Sequence, residues 1–79
     1  MKELIEKLNK INIEGAKLSF KEWKNYGKER IYVNAKYGKN YSCYDTFGYI
    51  ENNEYIGTSK NGSAGTYYKI QDAINLVLA

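Results

Sequence analysis

The hydrophobic period of this chain changes twice, and that change limits its architecture more than any other feature. Over residues 2–12, Leu4, Ile5, Leu8 and Ile11 recur at helical spacing, with Lys2, Glu6, Lys7 and Lys10 on the opposite side. From Ala16 the period is two. Ala16, Leu18 and Phe20 alternate with Lys17, Ser19 and Lys21, as in a half-buried strand. Residues 30–36 alternate again, with Ile31, Val33 and Ala35 on one side and Arg30, Tyr32, Asn34 and Lys36 on the other. Near Tyr67 the helical period returns in Tyr67, Ile70, Ala73, Ile74 and Val77, leaving Leu76 outside the stripe.

Turn residues divide the middle of the chain. Asn25 and Gly27 mark one turn and Gly38 a second. Residues 41–47 read as a third strand with a kink at Gly48. Asn52-Asn53 suits a tight hairpin, because asparagine tolerates positive φ. Thr66 is placed to cap the last helix. These signals predict an α+β fold in a single domain over residues 1–79. An antiparallel sheet of three or four strands is flanked by N- and C-terminal helices, in the order α-β-β-β-(β)-α. Both helices must bury a stripe, and the simplest packing puts them on one face of the sheet, against Leu18, Phe20, Ile31 and Val33. The other face is then bare and carries Lys17, Lys21, Trp23, Arg30, Tyr32 and Lys36.

The residues absent from this chain narrow its chemistry. It has no histidine and one cysteine. An intrachain disulfide is impossible, and neither a Cys/His nucleophile nor a zinc site can be assembled within the chain. Cys43 is therefore expected as a small buried hydrophobe. No catalytic residue, cofactor or metal is expected. An enzyme would need Asp45, Glu51 and Glu54 to converge in one cleft, yet Glu51 and Glu54 flank a turn and are expected to be exposed. The spacing of Gly57 and Gly62 imitates the start of a nucleotide-binding loop, but Ser63 stands where the lysine is required. That tract is read as a capped connection. The longest apolar run, Leu76 to Ala79, is far too short to span a membrane, and a cytoplasmic location is expected. Exposed leucines at this helix end would offer a homodimer contact.

What the chain has in excess is tyrosine, nine in all, beside one tryptophan and two phenylalanines. Such rings bury area at low entropic cost and keep a polar end, which suits contact surfaces. Charge divides these rings into two groups. Residues 17–39 hold seven basic and two acidic residues, a net of +5, while residues 41–58 hold three acids and no base. Two candidate docking patches follow. The basic one is built on Lys21, Trp23, Tyr26, Arg30, Tyr32 and Lys36; the acidic one on Tyr44, Tyr49, Glu51 and Glu54. On the basic patch, Trp23, Tyr26 and Tyr32 are the candidate stacking platforms for nucleic-acid bases.

The order helix, strands, helix resembles the double-stranded-RNA-binding domain. That family's second helix opens with a lysine-rich motif, where this chain has Thr66-Tyr67-Tyr68-Lys69 and only Lys69 matches. The same order resembles HicA-type toxins, ribonucleases that need a histidine. In size and in its lysine-, asparagine- and tyrosine-rich style the chain is similar to accessory proteins of phages and mobile elements, the anti-CRISPR proteins among them. That resemblance implies a non-enzymatic inhibitor that sterically blocks a larger nucleic-acid-handling complex. The alternative is a small nucleic-acid-binding module that uses the basic aromatic sheet face directly.

Overall fold

The computed structural model describes residues 2–58 and 64–79. The elements are α1 (Lys2–Leu8), β1 (Ala16–Asn25), β2 (Lys28–Tyr37), a short 3-10 turn (Lys39–Tyr41), β3 (Cys43–Glu51), β4 (Glu54–Gly57) and α2 (Ala64–Leu78). The four strands form one antiparallel sheet in the order β1-β2-β3-β4. This is the α+β arrangement that the changes of period predict.

The β1–β2 and β3–β4 hairpins close through two-residue loops. Tyr26 and Gly27 have φ of 49° and 75°, and Asn52 and Asn53 have φ of 52° and 60°. Positive φ at both central positions is what a type I′ turn requires, and its twist matches that of the strands. Asparagine and glycine adopt this conformation cheaply, whereas a tyrosine does so at a cost of about 1 kcal/mol.

The core lies between the sheet and the helices. Leu8 of α1 and Tyr67, Ile70 and Ile74 of α2 pack with Ile31, Val33, Ala35, Phe47 and Ile50 of the strands. Leu18 and Phe20 of β1 are only half-buried, and Glu22 on the same side is exposed. The helical layer thus covers the centre of the middle strands and the β1 edge in part.

Several expectations need correction. Helix α1 ends at Leu8, and the chain leaves it through tighter bonds, Lys10 N to Lys7 O at 3.2 Å and Ile11 N to Leu8 O at 3.0 Å. Ile11 still packs on the core. Helix α2 begins at Ala64, so Thr66 sits inside its first turn and is not the cap. The tract read as a capped connection lies, at residues 59–63, outside the described residues. Cys43 is exposed. It pairs with Tyr37 at the end of the sheet on its helical side, yet only Tyr37 of the pair is buried. Leu76 is 79% exposed, as its place outside the stripe predicts.

Candidate interaction surface on the open sheet face

The face turned away from the helices is assembled by register. Trp23 lies opposite Arg30, Lys21 opposite Tyr32, Ser19 opposite Asn34 and Lys17 opposite Lys36. On the far side of β2, Tyr32 pairs with Tyr49, Asn34 with Thr46 and Lys36 with Tyr44. Glu51 and Glu54 pair across β3 and β4.

A β-bulge makes this face continuous. The β2–β3 register shifts between Val33 and Asn34, so Phe47 and Gly48 together oppose Val33. Side chains alternate strictly along an unbroken strand, so Tyr44 and Tyr49 would otherwise point to opposite faces. The extra residue moves both onto the open face and sends Phe47 into the core, where it is fully buried. Gly48 permits the bend. A Cβ there would fall onto the carbonyl of Ile56 and 2.7 Å from the Tyr55 hydroxyl.

Arg30 organises the upper half of the face, next to the two hairpin turns. Its Nε donates to Glu51 Oε2 at 2.5 Å, and its Nη1 donates to the Tyr32 hydroxyl at 3.2 Å. The guanidinium lies 4.1 Å from the ring centre of Tyr49 and 5.6 Å from that of Trp23, within cation–π range. The Tyr32 hydrogen bond first, and the Glu51 carboxylate second, raise the Arg30 pKa above its ordinary value. The rings also contact one another. Trp23 and Tyr32 meet edge to face at 6.3 Å, and Tyr32 and Tyr49 meet tilted at 5.8 Å.

The lower half is different in kind. Lys17, Lys21 and Lys36 share it with Ser19, Asn34, Tyr44 and Thr46. Thr46 Oγ1 donates to Asn34 Oδ1 at 2.6 Å. Tyr41, which leads into β3 with a positive φ of 54°, sets its ring under Lys17 Nζ at 4.4 Å. None of these three lysines has a carboxylate partner among the described residues.

The two patches expected from sequence are therefore one surface. Lys21, Trp23, Arg30, Tyr32, Lys36, Tyr44, Tyr49, Glu51 and Glu54 share it. Tyr26 does not, since it stands 97% exposed on the β1–β2 turn at its upper rim. Glu51 is not a free turn carboxylate but is half-buried against Arg30. Lys17, Tyr41 and Thr46 join the surface without having been singled out as site residues. Alternation does mark Lys17, but no local signal places Tyr41, which lies between strands.

The three carboxylates do not converge. Asp45 pairs with Ala35 on the helical side and accepts a hydrogen bond from Tyr37, while Glu51 and Glu54 lie on the open side. The bond to Asp45, with burial, pushes the Tyr37 hydroxyl up to about 12. Burial, with Tyr67 nearby, likewise pushes Tyr55 to about 12, and its hydroxyl has no hydrogen-bond partner among the described residues. A hollow of about 420 Å³ lies between Leu4 of α1 and the two hairpin turns, above the buried Ile31 and Ile50. Of the residues in contact with Arg30 it touches Glu51. Among the described residues no group of His, Cys, Asp and Glu is arranged to hold a metal ion, and no helix is long and apolar enough to cross a membrane. No protein-family model, curated protein or solved structure matches the chain.

Proposed function

We propose that this is a non-enzymatic binding protein. It docks through its open sheet face on a larger nucleic-acid-handling complex and blocks it sterically, in the manner of an anti-CRISPR inhibitor. The observation that carries this reading is the cluster of Trp23, Arg30, Tyr32, Tyr49 and Glu51 on a sheet face that no described helix covers. Tryptophan, tyrosine and arginine dominate the binding energy of protein interfaces. Here they hold one another in place before any partner arrives, so less side-chain entropy is lost on docking. The charged residues around them, Lys21 and Glu54 among them, supply a polar rim. The same cluster is poorly suited to base stacking, because Trp23 and Tyr49 are half-buried around the Arg30 guanidinium.

The test is a CRISPR-interference assay in bacteria that express the chain, coupled to capture of the effector complex on the tagged protein. Wild type is expected to restore phage plaquing and to retain the complex, and Trp23→Ala and Arg30→Glu to do neither while remaining folded. Full interference in cells expressing the wild-type chain would remove the anti-CRISPR form of the proposal. Unchanged capture by both variants would remove the assigned surface.

A further inference from the structure

We infer that the lower half of the open face is a separate binding site for single-stranded nucleic acid, with phosphates held by Lys17, Lys21 and Lys36 and bases stacked on Tyr41 and Tyr44. Charge gives the first argument. Lys17 and Lys36 stand directly opposite each other across β1 and β2, a like-charge pair that destabilises a sheet. Higher on the same face Arg30 is neutralised by Glu51. The lower half has no such compensation among the described residues. A polyanion supplies it and gains from the counterions it releases.

The rings give the second argument. Tyr44 is 57% exposed and Tyr41 is 40% exposed, whereas Trp23, Tyr32 and Tyr49 are half-buried in the Arg30 cluster. The open aromatic surfaces therefore lie beside the uncompensated lysines. Flat rings alternating with cations are the means by which proteins hold single strands without sequence preference, since every base offers a π-face. A duplex keeps its bases stacked inside and would leave both tyrosines unused. The acceptors of an acidic protein surface would answer the lysines but bring no planar group to the rings. The protein-docking proposal rests on the upper cluster and shares only Lys21 with this site, so variants of Trp23 and of Lys17 with Lys36 test the two separately.

The experiment is fluorescence anisotropy with a labelled oligo-dT of about twelve nucleotides in about 20 mM salt, using the full chain. A duplex and an oligoglutamate of similar charge serve as competitors. The single strand is expected to bind, with a logarithmic salt slope of about −2, as three lysine–phosphate contacts imply. Lys17→Glu with Lys36→Glu should abolish binding, Tyr44→Ala should weaken it about tenfold, and Trp23→Ala should leave it unchanged. Circular dichroism of each variant separates lost binding from lost folding. No binding of the oligonucleotide by the folded wild type overturns the inference. So does an equal loss in Trp23→Ala. Displacement by oligoglutamate as effective as by unlabelled single strand, with Tyr44→Ala silent, overturns it in favour of an acidic protein surface.

Discussion

Arg30 and Glu51 lie 21 residues apart in the chain and meet at 2.5 Å on the open face of the sheet. Their pairing joins a basic hairpin to an acidic one and fixes the guanidinium over Trp23 and Tyr49. Because Trp23 is the only tryptophan, its fluorescence reports on that arrangement. Arg30→Ala should shift Trp23 emission to the red and increase its quenching by acrylamide, because the ring loses its cover. Affinity for a protein partner should fall tenfold or more. An unchanged emission spectrum would mean that Arg30 does not cover the indole in solution.

Gly48 sets the bulge on which the continuity of the face depends. Gly48→Ala forces a Cβ against the Ile56 carbonyl and the Tyr55 ring. It should cost about 2 kcal/mol, in the range of overpacked cores, read as a lower urea midpoint at unchanged slope. A variant as stable as wild type would contradict the tight approach of β4 to β3.

Tyr26 separates stability from binding. Its left-handed backbone on a type I′ turn favours asparagine, so Tyr26→Asn should stabilise the fold by about 1 kcal/mol in denaturant titration. The same change removes the most exposed ring of the upper rim and should weaken docking. A gain in stability with undiminished partner affinity would limit the interface to the strands.

Two tyrosine hydroxyls predict alkaline sensitivity. Tyr37 and Tyr55 are both raised to about 12 from an ordinary value of 10. The unfolded chain therefore loses these protons first, and binds fewer protons than the folded chain between pH 10 and 12. Stability contributed by the protonated hydroxyls is whole below pH 10 and is lost as pH rises through the folded values near 12. Unfolding midpoints at pH 8 and pH 11 should differ accordingly, and Tyr55→Phe should narrow the gap. At neutral pH that variant should be neutral or stabilising by up to about 1 kcal/mol, since it removes a buried hydroxyl without a partner among the described residues. Equal midpoints for wild type at both pH values would contradict the raised hydroxyls.

Period and turn chemistry made much of this molecule readable from its residues. The alternation of Lys17, Lys21 and Trp23 with Leu18 and Phe20 assigned β1 its two sides correctly, as did that of Arg30, Tyr32 and Lys36 with Ile31 and Val33 in β2. Neither strand contains a bulge within those stretches. In β3 one inserted residue reverses the alternation, next to Gly48, where a kink was expected. Cys43 shows a second limit. Alternation says which side a residue faces, but burial depends on what covers that side, and at the sheet end Tyr37 is covered where Cys43 opposite it is not. Glu51 shows a third, because its partner belongs to another hairpin. A long-range ion pair leaves no mark on local pattern, and so one surface looked like two.

The most direct test of the open face as the docking surface is photo-crosslinking in cells. A photoreactive amino acid placed at Lys21 on that face, or at Asp72 on the exposed side of α2, reports which side a partner covers. The account predicts adducts from position 21 with a component of a nucleic-acid-handling complex, and none from position 72. Adducts from position 72 alone would contradict it.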